Sequence, residues 1–129
     1  MRPDENDDRA QILMVDDDED LCTILSKNLD SIAAIHTEHT LAGALDYLRK
    51  NQPPLILLDN SLPDGWGIRF IVKFKQLNKD VRIILLTSDT TENLRSDCLS
   101  AGAMYFMCKP FSISGLKEVV NRLLTIPNH

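Results

Sequence analysis

Short apolar runs, each halted by a polar residue, punctuate the chain: Ile12–Val15, Leu55–Leu58, Val81–Leu86 (interrupted only by Arg82) and Met104–Cys108. Runs of this length without alternation suit strands buried on both faces. Between them, apolar positions recur at helical spacing. Leu21, Ile24, Leu25 and Leu29 form one stripe, and Leu41, Ala44, Leu45 and Leu48 a second. Ile68, Ile71 and Phe74, with Phe70 and Leu77, give a third; Ile113, Leu116, Val119, Val120 and Leu123 give the last. A further helix is predicted over 90–100, with a thin apolar side of Leu94, Cys98 and Leu99 that marks it as mobile or partner-facing. Ile32–Thr37, poor in large apolar residues and carrying His36, reads as a strand at a sheet edge.

The punctuation fits these elements. Asp18 or Asp20 can cap the first helix, Thr40 the second and Ser112 the last. Pro53–Pro54 must follow the end of the second helix, Gly102 sits where a helix terminates, and Lys109–Pro110 breaks the last strand. Residues 1–10, acidic and nearly free of apolar side chains, are expected to be a disordered tail, residues 11–126 one folded domain, and 127–129 a short C-terminal tail. Strand and helix alternate throughout. The expected fold is therefore α/β: an open five-stranded parallel sheet in the order 2-1-3-4-5, doubly wound by five helices.

Composition narrows the function. At 129 residues, 43% hydrophobic and 26% charged, the chain has the material for one core but not two. A net charge of -5 with scattered Lys and Arg leaves no basic patch for nucleic acid or an anionic membrane, so neither is an expected partner. No apolar run approaches the roughly 18 residues that span a bilayer, and the acidic start is not a signal peptide. Cys22, Cys98 and Cys108, an odd set without a CxxC pair, fit free thiols in the cytoplasm. His36, His39 and His129 lack metal-ligand spacing.

Chemistry concentrates at the strand ends. In an open parallel sheet ligands lie beyond the carboxyl ends of the strands, at the switch point between strands one and three. Those strands end in Asp16-Asp17 and in Asp59. Three carboxylates gathered there repel one another, so one holds a proton or a hard cation such as Mg²⁺ is bound. Strand four ends in the hydroxyl of Thr87 and strand five in the ammonium of Lys109, groups suited to a phosphoryl oxygen. Each alone is an ordinary cap or surface residue. Together they terminate four separate strands at the ligand-binding end.

Over residues 11–125 these features resemble the receiver domains of bacterial two-component response regulators. Val15-Asp16-Asp17 resembles the family's acidic pair, and Asp59 with Pro63 and Gly67 its phosphoacceptor loop. Leu86-Thr87-Ser88 resembles the switch-hydroxyl segment, and Gly102-Ala103 through Tyr105 to Lys109-Pro110-Phe111 the family's closing signature. Ser88 stands where alanine is usual, Asp18 extends the acidic cluster and Cys108 precedes Lys109, but no required group is missing.

The resemblance implies a phosphorylation-activated switch of a His-to-Asp phosphorelay. Asp59 would accept the phosphoryl group from a sensor histidine kinase or a phosphotransfer protein. Asp16, Asp17, Asp59 and the Ser61 backbone carbonyl would hold Mg²⁺ or Mn²⁺, Lys109 would pair with the phosphoryl group, and Thr87 would hydrogen-bond it. Tyr105 would turn inward as Thr87 moves. A downstream protein or appended output domain would read the change on the face of helix four, strand five and helix five; these residues hold no effector domain. Ser61 and Asp89 resemble positions that tune phosphoryl lifetime, and Trp66 is a packed surface aromatic or a partner contact. Such a module assists its own phosphorylation and dephosphorylation but is not a turnover enzyme. Three other readings stand beside it. One is a receiver-like interaction scaffold that is never phosphorylated. Another is a Mg²⁺-dependent phosphatase with an aspartyl nucleophile. The last, a flavodoxin-like electron carrier, is disfavoured by the acidic run at 16–20.

Overall fold

The computed structural model describes residues 8–89 and 91–126. Its central sheet is parallel and five-stranded, built from β1 (Ala10–Val15), β2 (Ala33–Glu38), β3 (Leu55–Asp59), β4 (Arg82–Thr87) and β5 (Tyr105–Cys108) in the order β2-β1-β3-β4-β5. Five helices connect and follow the strands: α1 (Glu19–Asn28), α2 (Leu41–Leu48), α3 (Ile71–Leu77), α4 (Glu92–Ala101) and α5 (Ile113–Thr125). The expected topology is the observed one.

The continuous apolar runs are explained by the core of this single domain, which lies as an apolar layer on each face of the sheet. Ile12, Met14, Leu55, Leu57, Ile84 and Leu86 face one side, where α1 and α5 contribute Leu25, Leu116 and Val120. Leu13, Val15, Ile56, Leu58, Ile83 and Leu85 face the other, against Leu41, Ala44, Ile71 and Phe74 of α2 and α3. Successive strand side chains point to opposite faces, so a strand covered by helices on both sides needs an apolar residue at every position. Each fully buried leucine or isoleucine contributes about 1.5–3 kcal/mol over its exposed state. β2 pairs only with β1 and buries only Ala33 fully, as an edge strand does.

Asp18, Thr40 and Ser112 cap their helices as expected, and Thr91 caps α4 as well. Asp18 accepts from the Leu21 N–H at α1, Thr40 from Gly43 at α2, Thr91 from Leu94 at α4 and Ser112 from Gly115 at α5. Gly102 ends α4 at φ 118, in the left-handed region that disfavours a side chain.

Several boundaries and faces differ from expectation. β1 begins at Ala10, which pairs with Ala33, so the first strand starts one residue inside the stretch expected to be an acidic tail; residues 1–7 of that tail, and residues 127–129, lie outside the described residues. The helix expected over 90–100 is α4, Glu92–Ala101, with Thr91 as its cap. The α4 stripe is thinner than the spacing indicated: Cys98 is fully buried, while Leu99 is 42% exposed. Ile24, placed on the α1 core face by spacing, is 45% exposed, because Cys22 and Leu25 take the inward positions. Among the described residues no helix is long and apolar enough to cross a membrane.

Candidate functional site

β1 and β3 are neighbours, so their last residues meet at the point where the sheet order reverses. Asp16 follows β1 and is 1% exposed; Asp59 ends β3 and is 6% exposed. With the exposed Asp17 they form a group in which one carboxylate oxygen from each residue lies within 4.8 Å of the others. Lys109, just past β5, reaches across β4. Its Nζ donates to Asp16 Oδ2 at 2.8 Å and lies 3.3 Å from Asp59 Oδ1. The Lys109 backbone N–H bonds the Thr87 carbonyl at 2.7 Å, which fixes the root of that side chain against the end of β4.

The charges at this rim are out of balance. Burial, then the negative charge of Asp16, holds the Asp59 carboxyl above its usual range, with the charge and hydrogen bond of Lys109 and the Ser61 N–H opposing them. Burial pulls the Lys109 ammonium down, but the hydrogen bond and charge of Asp16, together with Asp59, outweigh it and raise it. Three carboxylates face one ammonium, an excess of two negative charges that a divalent cation would neutralise. Oxygen donors of this kind suit a hard cation.

Thr87 is 4% exposed, and its Oγ1 accepts from the Asp89 N–H at 3.0 Å. The Asp89 carboxylate is turned to the Thr91 N–H. Tyr105 is 40% exposed, on the surface. His36 pairs with Glu38 and stacks on Tyr47, with ring centroids 4.1 Å apart. His39 Nδ1 donates to the Asp16 carbonyl at 2.9 Å and so supports the acidic turn from outside. Burial, then Asp16, pushes the Cys22 thiol up to about 11, and burial raises that of Cys98, so both are inert packing residues.

The loop after Asp59 holds two residues that pattern reading passed over. Asn60 is 5% exposed; its Oδ1 accepts from the Ile68 N–H and its carbonyl from the Gly67 N–H. Asp64 accepts from the first two N–H groups of α2, Leu41 at 2.9 Å and Ala42 at 3.0 Å. The loop folds back so closely that a Cβ on Gly67 would collide with the Asp59 carbonyl oxygen and crowd Leu58. Gly67→Ala is therefore expected to lower stability by about 1–3 kcal/mol, read from urea unfolding, because backbone and not a mobile side chain must give way.

Asp64 also yields a pH effect. The Leu41 N–H, against a small cost of burial and with help from Ala42, holds its carboxyl below the usual range. A folded-state value below the unfolded one stabilises the fold above the ordinary carboxylate range, and that stabilisation is lost as pH falls through the folded value. The stability difference between wild type and Asp64→Asn should accordingly be full above the ordinary carboxylate range and shrink as pH falls below it in urea unfolding.

Comparison with known proteins agrees with this geometry. The response regulator receiver domain family matches residues 12–121. Sporulation initiation phosphotransferase F of Bacillus subtilis is 26% identical over 121 residues, 92% of this chain and 97% of its own length. Transcriptional regulatory protein CitB of Klebsiella pneumoniae is 34% identical over 118 residues, 89% of this chain but only 50% of its own. The non-phosphorylated HemR receiver domain from Leptospira biflexa superposes with a TM-score of 0.87 at 27% identity, over 94% of this chain and 98% of that one. The family match decides between the receiver reading and the phosphatase and electron-carrier readings. With most of its length matched and the expected sheet order in place, the chain belongs to the response regulator receiver domains, the phosphorylation-activated switches of two-component signalling.

Proposed function

We propose that this chain takes a phosphoryl group onto Asp59 from a phosphohistidine on a sensor histidine kinase or a phosphotransfer protein. The observation that carries the reading is the position of the Asp59 carboxylate: nearly buried, at the switch point, 3.3 Å from the Lys109 ammonium and grouped with Asp16 and Asp17. A carboxylate oxygen of Asp59 attacks phosphorus in line, the phosphorus–nitrogen bond of the donor breaks, and the imidazole leaves with its electron pair. An acyl phosphate remains on Asp59. The protein's part is to position the nucleophile and offset charge on the phosphoryl oxygens.

Asp16, Asp17, Asp59 and the Ser61 carbonyl would hold Mg²⁺ or Mn²⁺, which supplies positive charge to the transferring group. Lys109 pairs with a phosphoryl oxygen, and Thr87 Oγ1, now bonded by the Asp89 N–H, is the hydroxyl that turns to another. Movement of Thr87 opens space under the β4 loop for Tyr105, which stands outside in this conformation. The face of α4, β5 and α5, where Leu99, Met104 and Tyr105 are exposed, is where a downstream protein or an output domain reads the switch. The chain works in the cytoplasm as a regulatory acceptor and not as a turnover enzyme. The test is incubation with Mg²⁺ and acetyl phosphate followed by intact mass; a wild-type chain that gains no phosphoryl group would leave only the scaffold reading.

A further inference from the structure

The loop carrying the Ser61 carbonyl is anchored twice by side chains that take no part in the phosphoryl chemistry. At its base Asn60 Oδ1 bonds the Ile68 N–H at 2.9 Å. At its tip Asp64 clamps the N-terminus of α2 through Oδ1 to Leu41 and Oδ2 to Ala42. Between base and tip the chain is a hairpin in which Ser61 pairs with Trp66 and Leu62 with Gly65. Ladder bonds make the hairpin a unit, so displacement of its tip is transmitted to Ser61. α2 is a firm anchor, since Leu41, Ala44 and Leu48 are sunk in the core.

We propose that Asp64 is a positioning residue for the metal site: its clamp on α2 holds the hairpin, and with it the Ser61 carbonyl, in register with Asp59, and thereby sets the affinity for Mg²⁺. The inference rests on the metal reading given above. Mg²⁺ demands near-ideal ligand geometry, and a carbonyl on an untethered hairpin must be ordered at each binding event. A residue that orients a ligand without touching the ion commonly governs metal affinity.

A helix cap alone would make a different prediction, and Thr40 is the control. Its Oγ1 caps the same helix at the Gly43 N–H, 3.0 Å away, with no bond to the hairpin. The experiment titrates Mg²⁺ into the metal-free chain while following emission of Trp66, the single tryptophan and the ladder partner of Ser61. Asp64→Ala is expected to raise the Mg²⁺ Kd about tenfold, and Thr40→Ala to leave it within about twofold of wild type. Asp64→Asn, which keeps one acceptor oxygen, should fall between them. A second readout needs no metal: backbone amide exchange at residues 62, 65 and 66 should accelerate in Asp64→Ala and not in Thr40→Ala. Equal Kd shifts in Asp64→Ala and Thr40→Ala, or unchanged exchange in Asp64→Ala, would overturn the proposal. A wild-type chain with no saturable Mg²⁺ response would overturn the metal reading itself, and the exchange rates tell that outcome apart from a failure of the clamp.

Discussion

Asp59→Asn should abolish the phosphoryl adduct while raising the stability of the metal-free protein. The first effect follows from chemistry: the amide is a poor nucleophile and its acyl phosphate equivalent does not form, so no other step compensates. Intact mass after incubation with acetyl phosphate and Mg²⁺ should show one added phosphoryl group on wild type and none on the variant. The second follows from the electrostatics. The fold disfavours the charged form of Asp59, through burial first and Asp16 second, and an isosteric amide removes that burden while Lys109 keeps its 2.8 Å bond to Asp16. Thermal unfolding should occur at higher temperature in the variant without metal. Added Mg²⁺ should stabilise wild type more than the variant, which has lost one ligand. An equal adduct on both chains would place the acceptor elsewhere, and a variant less stable than wild type without metal would refute the charge argument. The two effects also separate a failed site from a failed fold, because the inactive variant is expected to be the sturdier protein.

How much of this was legible in the chain depends on whether a feature is local. The strands were readable because burial on both faces demands apolar residues at consecutive positions, and Ile12–Val15 and Leu55–Leu58 leave no alternative face to solvent. The caps at Thr40 and Ser112 were readable because a cap acts within three residues. Asp16, Asp59 and Lys109 were findable because the sheet order alone brings strand ends together. Asp64 was not, since Pro63-Asp64-Gly65 reads locally as an ordinary turn and its partners lie 22 and 23 residues upstream. Asn60 was passed over for a related reason: beside a chemically obvious aspartate, its burial appears only once the loop has folded back onto β4. Ile24 and Leu99 show the limit of spacing itself, because a helix stripe wider than the groove it enters leaves its edge in water.

Lys109→Ala should separate phosphorylation from its consequence. Nζ bridges Asp16 and Asp59, and its removal leaves Asp16, 1% exposed, without its cation. An unpaired buried acceptor costs about 1–3 kcal/mol, so metal-free Lys109→Ala should unfold at lower urea than wild type, and Mg²⁺ should restore much of the difference by supplying the missing charge. The nucleophile and the three carboxylates remain, so acetyl phosphate with Mg²⁺ should still yield the adduct. What the variant lacks is the link from the phosphoryl group to β5. Lys109 is joined to Thr87 through its backbone and follows directly from the strand that carries Tyr105, so a phosphoryl oxygen held by its ammonium pulls on both at once. In wild type, phosphorylation should alter amide exchange over 87–108; in Lys109→Ala the adduct should form with little change there. Lys109→Arg keeps the charge but replaces a point ammonium by a broader planar fork, and it should recover the stability more fully than the response. A full exchange response in phosphorylated Lys109→Ala would show that Thr87 alone carries the signal, and the role assigned to the ammonium would then be confined to balancing the charge of Asp16 and Asp59.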